Sequence, residues 1–169
     1  MAYLERELTV GGHLLRFKGL YQKFSIDISE DGILLDCGYK IDSEDFRRWI
    51  AGCDSLYLFV VTAGPLFSER ISELLAEERV SEAMIADAVG SAAGEACAKA
   101  ANKYIAELEN DNVLTKRYSP GYGDWNVSDN RNFLRHIEAG RINISVNEGG
   151  LMLPEKSVSA AIGVKTEMA

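Results

Sequence analysis

The stretch Leu56-Tyr-Leu-Phe-Val-Val-Thr62 belongs to the longest apolar run of the chain, and it decides the fold. β-Branched and aromatic side chains occupy both alternating sets of positions, whereas a strand with one solvated face would alternate apolar with polar residues. The pattern therefore predicts a strand that is buried on both faces, in the middle of a sheet.

Helical patterns stand on either side of this strand. Ser43 is a good N-cap residue and acidic residues follow it, which predicts a short helix reaching Ala51. After the strand, Pro65 suits the first position of a second helix, which runs to about Glu78. The central strand is thus expected to connect two helices.

The third predicted helix, residues 81 to 108, has the clearest periodicity in the sequence. Apolar residues recur in pairs every four residues, which predicts a continuous stripe facing the core. The pairs are Met84/Ile85, Ala88/Val89, Ala92/Ala93, Ala96/Cys97, Ala100/Ala101 and Tyr104/Ile105.

The remaining segments complete a mixed pattern. Residues 1 to 40 hold short apolar clusters interrupted by glycines, as expected of short strands and turns. Later segments predict a capped helix over 128 to 139 and strands over 142 to 146 and 157 to 164. The last strand alternates Val158, Ala160, Ile162 and Val164 inward with Ser157, Ser159, Ala161 and Gly163 outward.

These elements predict an α+β fold, because their order is not a regular βαβ alternation. The chain has no linker, low-complexity segment or internal repeat. We expect one domain over residues 1 to 169, with a twisted, largely antiparallel sheet flanked by helices.

The composition limits the classes of partner. The formal net charge of -8 comes from 26 acidic against 18 basic residues. Without a basic patch, such a chain repels nucleic-acid phosphates and anionic lipid headgroups, so neither is an expected partner. No apolar run approaches the roughly 20 residues of a bilayer-spanning helix, and no leader signal is recognisable. We expect a cytoplasmic protein.

Cysteine and histidine give no sign of a metal site. Cys37, Cys53 and Cys97 are odd in number and widely spaced, which fits neither a disulfide framework nor a zinc site, so we interpret all three as reduced packing residues. His13 and His136 have no partner at ligand spacing. The chain has no nucleophile elbow, Walker loop or dinucleotide fingerprint either, so no catalytic residue is assigned.

A loop of unusual composition is the first candidate for ligand binding: Arg117-Tyr-Ser-Pro-Gly-Tyr-Gly-Asp-Trp125. Its Pro-Gly pair presets a tight turn in which Gly121 takes a positive φ and lets the main chain approach a ligand. The Arg117 guanidinium matches a carboxylate, and Tyr122 and Trp125 offer ring faces to a base or a cation. A surface turn whose aromatic rings cover the core is an equally good interpretation.

Glu95 is the second candidate, because it stands in a helical segment made almost entirely of small and apolar residues. It falls on the flank of the predicted stripe, where Gly90 and Gly94 leave room for a neighbour to approach. An ion pair with Lys99, worth about 0.2–0.5 kcal/mol, is the simpler interpretation. Close helix packing is another.

A third segment, Leu151-Met-Leu-Pro-Glu-Lys-Ser-Val-Ser159, places an apolar triplet before a proline turn and then a polar strand. On composition alone, a strand exit with core anchors is favoured over a ligand contact.

Together, Arg117-Tyr-Ser-Pro-Gly-Tyr122 and Asn147-Glu-Gly-Gly-Leu-Met-Leu-Pro-Glu-Lys-Ser-Val-Ser159 resemble the C-terminal activation domain of cobalamin-dependent methionine synthase. Either segment alone is weak, but the two in order, with a capped helix between them, are specific. The resemblance extends upstream through Gly94-Glu95-Ala-Cys-Ala98 and Val60-Val-Thr-Ala-Gly64. Residues 1 to 50 are not matched.

The resemblance implies a C-shaped domain that binds S-adenosylmethionine. In that family the Arg-x-x-x-Gly-Tyr loop holds this ligand, which implies Arg117 on the methionine carboxylate. Gly121 and the main chain near Ser119 and Tyr122 would complete the pocket, and the family's helix glutamate falls on Glu95. An acidic contact from the family's N-terminal part has no counterpart here, and a tyrosine that follows the second segment would lie beyond the last residue.

The function implied is reactivation of a partner, a cobalamin-dependent methionine synthase whose cob(I)alamin has been oxidised to cob(II)alamin. An electron donor such as flavodoxin returns one electron, and S-adenosylmethionine donates its methyl group. The partner is alternatively another corrinoid methyltransferase. A third hypothesis, from a different class, is a non-catalytic sensor that binds S-adenosylmethionine, so whether the chain belongs to an enzyme stays open.

Overall fold

The computed structural model describes residues 2–110 and 112–166. The helices are α1 (Ala2–Leu14), α2 (Glu44–Trp49), α3 (Leu66–Ala76), α4 (Val80–Leu108) and α5 (Asn130–His136). The strands are β1 (Lys18–Ser29), β2 (Gly32–Leu35), β3 (Lys40–Ile41), β4 (Ser55–Thr62), β5 (Val113–Leu114), β6 (Ser145–Val146), β7 (Met152–Leu153) and β8 (Ser157–Lys165).

The main sheet has the strand order β3-β2-β1-β4-β8-β5, and each of its pairings is antiparallel. The strands β6 and β7 form a separate two-stranded ribbon. The predicted α+β class with a largely antiparallel sheet is confirmed.

Strand β4 separates two hydrophobic clusters, which explains why it has no polar face. Every residue of β4 is buried. Leu56, Leu58 and Val60 pack into a cluster with side chains of α2 and α5. The alternate residues pack with side chains of α3 and α4 on the other face. The prediction of a central strand buried on both sides is confirmed.

The N-terminal region differs from the prediction. Residues 18 to 41 form strands, but Ala2–Leu14 form the helix α1 rather than strands and turns; residue 1 lies outside the described part. The pair Gly11-Gly12 suggests a turn in the sequence, whereas in the structure Gly11 provides close helix packing. A Cβ at Gly11 would lie 2.6 Å from Cγ1 of Val89, so only glycine allows α1 to approach α4 this closely.

The helix α4 has the predicted extent, but its buried face is rotated from the predicted stripe. The column that begins at Met84 is exposed along its whole length, and Met84 itself is 70% exposed. The buried face instead includes two glycines, which a hydrophobic pattern does not count as apolar. Its buried residues are Ala83, Ala86, Gly90, Gly94, Cys97, Ala98 and Ile105.

Three further predictions need correction. In β8, Ser159, Ala161 and Gly163 are buried, not outward, because β8 lies inside the sheet and both its faces are covered. The predicted strand 142 to 146 is reduced to β6, since a 3₁₀ turn occupies 139 to 142. The predicted helix from residue 128 begins with a 3₁₀ turn over 127 to 129, whose cap is Asn126 rather than Ser128.

The cysteines do not share one environment. Cys97 is buried and Cys53 is half-buried, but Cys37 is exposed, so its interpretation as a packing residue is wrong. Within 2–110 and 112–166, no group of three or more His, Cys, Asp or Glu side chains is placed to hold a metal ion. None of the helices in those same ranges has the length and apolarity that crossing a membrane requires.

Candidate ligand-binding site

A cavity of about 500 Å³ lies between the two segments that the sequence singles out. One wall comes from the loop after residue 117, and the other comes from the ribbon β6–β7 and the start of β8. The lining residues are Ser119, Pro120, Tyr122, Val127, Asn130, Asn147, Gly150, Leu151, Met152, Leu153, Glu155, Lys156, Ser157, Val158 and Ser159.

The loop is fastened to the fold by Trp125. This side chain is 1% exposed, its ring stacks on Phe46 with centroids 4.7 Å apart, and its Nε1 donates to Asp129 at 2.7 Å. Trp125 is therefore a core residue and does not offer a ring face to a ligand. Tyr122, in contrast, is 65% exposed and lines the cavity.

Asp124 ties the same loop to the start of α2. Its carboxylate accepts hydrogen bonds from the hydroxyl of Ser43 at 2.5 Å and from the main-chain N–H groups of Glu44 and Asp45. The Ser43 hydroxyl and these two amides hold the pKa of Asp124 below its usual range, because they stabilise the ionised form. The sequence alone does not reveal this role of Asp124, because Ser43, Glu44 and Asp45 lie about 80 positions away in the chain.

This lowered pKa predicts an acid-sensitive loop. A carboxyl group whose pKa is lower in the folded state stabilises the fold above its unfolded pKa, and this contribution is lost as the pH falls. We expect the free energy of unfolding to decrease below about pH 4, the region of an ordinary Asp pKa. Asp124→Asn should be less stable at neutral pH and should show a shallower decrease between about pH 5 and pH 3. Denaturant titrations at several pH values in this range measure the free energy of unfolding of both proteins. The prediction is refuted if this free energy falls equally steeply with pH in both.

A buried polar network holds the floor of the cavity. Asn130 is 4% exposed, and its amide donates to the carbonyl of Gly150 at 3.2 Å and accepts from the hydroxyl of Ser159 at 2.7 Å. The carbonyl of Ser159 in turn accepts from the hydroxyl of Ser119 at 2.7 Å. The network therefore joins α5, β8 and both walls of the cavity.

Removal of this network should cost stability. We expect Asn130→Ala to lower the free energy of unfolding by about 1–3 kcal/mol, because the Gly150 carbonyl loses its donor in a buried place. Asn132→Ala is the matched control. Asn132 is exposed and its side-chain amide donates to Asp129, so the loss of this side chain should cost about 0.5 kcal/mol or less. Equal effects of the two substitutions in urea denaturation would contradict this assignment.

Two of the predicted ligand residues, Arg117 and Glu95, form an ion pair. Nη2 of Arg117 donates to Oε1 of Glu95 at 2.5 Å, and Nζ of Lys99 lies 3.9 Å from the same oxygen. Nη1 of Arg117 is buried and has no hydrogen-bond partner. Neither Arg117 nor Glu95 is part of the cavity lining. Glu95 is only partly buried, as expected, with 45% of its side chain exposed.

The other predicted ligand residues lie in or beside the cavity. Ser119 and Tyr122 line it, and Gly121 forms the turn between them with a φ of +99°. The positive φ expected at Gly121 is therefore present. The main chain of Tyr118 exchanges two hydrogen bonds with Ala161 of β8, which sets the position at which this loop begins.

The segment that follows β7 packs against Gly90 and Gly94 of α4. A Cβ at Gly94 would lie 3.4 Å from the carbonyl oxygen of Lys156, and one at Gly90 would lie 3.0 Å from its Cε. Nζ of Lys156 donates to Asp87 at 2.6 Å and to Ser91 at 3.0 Å. The room predicted beside Gly90 and Gly94 is thus occupied by this chain itself.

The apolar triplet before the proline anchors the core in part, through Met152, which is half-buried and packs against the cluster that contains Leu56. Leu151 is 61% exposed and Leu153 is 44% exposed, and both line the cavity. Leu153 and Glu155 also line a second cavity of about 640 Å³, next to the start of α3. The segment therefore forms a wall between two cavities.

Neither a protein-family model nor a curated protein sequence matches this chain. The likeness to known proteins comes from the solved structures.

The class that the fold defines is an α+β domain with a mostly antiparallel sheet, carrying a cavity between a Pro-Gly loop and the last strand. A solved structure with this fold is the crystal structure of the MetH reactivation domain bound to AdoHcy. The two superpose with a TM-score of 0.72 at 13% sequence identity, over 99% of this chain and 66% of that one. The fold that the resemblance implies is therefore confirmed, and this chain spans less than two thirds of the matched chain.

Proposed function

We propose that this chain binds S-adenosylmethionine in the cavity of about 500 Å³ and supports reductive methylation of cob(II)alamin on a partner, a cobalamin-dependent methionine synthase. The fold likeness supports this, because the matched reactivation domain binds AdoHcy, the demethylated form of the same ligand. The cavity volume falls within the roughly 300–1,000 Å³ of small-molecule sites.

The unpaired guanidinium nitrogen of Arg117 is the observation that carries the proposal. Nη1 is buried without a partner while Nη2 is held by Glu95. An unsatisfied buried donor costs about 1–3 kcal/mol, and a carboxylate is the group that best satisfies an arginine fork. Arg117 does not line the cavity in this structure, but it precedes the lining residue Ser119 by two positions on the same loop. We therefore propose that its side chain turns toward the cavity when the ligand binds and that Nη1 then donates to the methionine carboxylate.

The remaining predicted residues have matching roles in this proposal. The exposed ring of Tyr122 offers a face for the adenine base, and the turn at Gly121 lets the main chain near Ser119 approach the ligand. Glu95 orients the guanidinium of Arg117 and contacts the ligand beside it. The net charge of -8 favours a ligand that carries a sulfonium cation.

The chemistry needs little from the side chains. S-adenosylmethionine, when bound, supplies a methyl group on a sulfonium, and its leaving group is a neutral thioether. The residues of this chain therefore position the ligand and shield it from water, without proton transfer. We propose a cytoplasmic setting and an electron donor such as flavodoxin for the partner's cobalamin.

Two measurements test the function in sequence. Calorimetric titration of S-adenosylmethionine into the chain should give one saturable site. The chain should then restore methylation of cob(II)alamin on a methionine synthase that lacks its own activation domain. This assay contains a reductant, and the visible spectrum of the corrinoid measures the methylation. Absence of binding would refute the cavity assignment. Binding without methylation would refute reactivation of this partner and favour a sensor.

A further inference from the structure

More than half of the outer edge of strand β1 has no neighbouring strand in the described part of the chain. It pairs with β4 from Lys18 to Ser25, but with β2 only from Ile26 to Ser29. Among the described residues, no strand pairs with Lys18–Phe24 on the side away from β4. This edge contains no proline, although Lys18 and Lys23 carry charges of the kind that protect exposed sheet edges from unselective pairing.

Main-chain groups of three residues point out from this edge. The N–H of Ile26 donates toward β4, to Asp54 at 3.2 Å, while the carbonyl of Ser25 accepts on the opposite side, from Asp36 at 3.0 Å. Because main-chain groups alternate sides along an antiparallel strand, the odd-numbered residues face outward. The outward residues of the open part are Gly19, Tyr21 and Lys23, and no hydrogen bond on that side is described for their main chains.

An apolar groove of about 270 Å³ runs beside the same edge, between β1 and α4. Its aromatic side chains are exposed, with values of 52% for Phe17, 46% for Tyr21 and 49% for Tyr104. The floor is formed in part by Gly19, where a Cβ would lie 3.0 Å from Cγ1 of Val61. The groove has room for one large apolar side chain next to the free main-chain groups.

The charged side chains beside the open edge of β1 indicate which kind of chain would bind there. Lys18 makes no ion pair within the described part of the chain, and the hydrogen bonds described for Arg16 go to the carbonyls of His13 and Leu15. Lys23 is instead neutralised by Glu109 at 2.7 Å. Arg16 and Lys18 thus stand where the edge begins without an ion pair in the described part of the chain, although Glu69 and Glu155 line the same cavity as they do. Both cations suit a carboxylate on the occupant. A second copy is disfavoured, because each copy has a net charge of -8 and therefore repels another.

We propose that the open edge of β1 binds an extended peptide segment of a partner protein as an added strand, with an apolar side chain in the groove and an acidic residue beside Arg16 and Lys18. Main-chain hydrogen bonds to an edge supply affinity in this mode of recognition, and pockets for alternate side chains supply specificity. The proposal is independent of the S-adenosylmethionine site.

The probe is a displayed library of random peptides as long as the open edge, selected on the whole chain. Enriched peptides should alternate apolar and other residues and carry a carboxylate near one end. The consensus peptide should slow hydrogen exchange at the amides of Gly19, Tyr21 and Lys23. Ala101 lines the groove, so Ala101→Phe should fill it and weaken binding by about tenfold or more.

Ala100→Phe is the matched control, because Ala100 is exposed and lies outside the groove lining. It should bind the peptide as the unaltered chain does, and thermal unfolding should show both variants folded. The proposal is overturned if no enriched peptide distinguishes the two variants, or if the protected amides lie elsewhere. It is also overturned if sedimentation shows a dimer that Ala101→Phe dissociates, since a second copy then occupies the edge.

Discussion

Replacement of Arg117 by alanine is expected to weaken S-adenosylmethionine binding by about tenfold or more. The substitution removes the unpaired nitrogen proposed to hold the methionine carboxylate, and charge-assisted hydrogen bonds of this kind are worth about 1.5–3 kcal/mol. Calorimetric titration of both proteins under the same salt conditions gives the ratio of dissociation constants.

Lys99→Ala is the control for charge. Both substitutions remove one positive charge near Glu95, but the Lys99 side chain is 73% exposed and its nitrogen lies 3.9 Å from the glutamate. Its removal should change the affinity by less than about twofold, since exposed ion pairs contribute little. Equal losses of affinity in the two variants would mean that Arg117 acts only through the net charge.

Trp125→Ala is expected to lower the free energy of unfolding by about 3–5 kcal/mol, the usual cost of truncating a large buried aromatic side chain. Trp125 is 1% exposed, stacks on Phe46, and donates a hydrogen bond to Asp129. The substitution therefore leaves a cavity and removes one hydrogen bond from Asp129, which still accepts from the hydroxyl of Tyr39. Urea denaturation measures the difference.

Tyr122→Ala is the comparison on the same loop. Because its ring is 65% exposed, the free energy of unfolding should change by about 0.5 kcal/mol or less, whereas the affinity for S-adenosylmethionine should fall. A core role for Trp125 would be contradicted if both alanine variants were equally stable. A ligand role for Tyr122 would be contradicted if its alanine variant kept full affinity.

Local sequence determines the parts of the fold that were predicted correctly. Strand β4 is apolar on both alternating faces, which predicts a buried central strand. The N-cap at Ser43 predicts the start of α2, and the long periodic run of residues predicts the extent of α4. These signals depend on neighbours in the chain, so they can be read without knowing the fold. The α+β class then follows from the order of the elements.

Tertiary contacts decide what the sequence did not reveal. The helix α1 contains two glycines and resembles a turn until the approach of Val89 to Gly11 is known. The buried side of α4 includes Gly90 and Gly94, because Lys156 packs against them. Neither contact partner can be inferred from local periodicity.

Some features of the candidate site could likewise be predicted from the sequence, and others depend on tertiary contacts. Composition identified the loop around Gly121 and the segment before β8, and the structure places both on one cavity. Composition could not show that Glu95 pairs with Arg117, because 22 positions separate the two residues. Asn130, which joins both walls, has no distinguishing sequence neighbourhood, and only its burial reveals its part in the network.

A crystal structure of this chain with S-adenosylhomocysteine tests the central proposal most directly. We expect the ligand in the cavity of about 500 Å³, with its carboxylate on Nη1 of Arg117 and its base against Tyr122. Ligand bound in the neighbouring cavity of about 640 Å³, or a cavity that stays empty at saturating ligand concentration, would contradict the proposal.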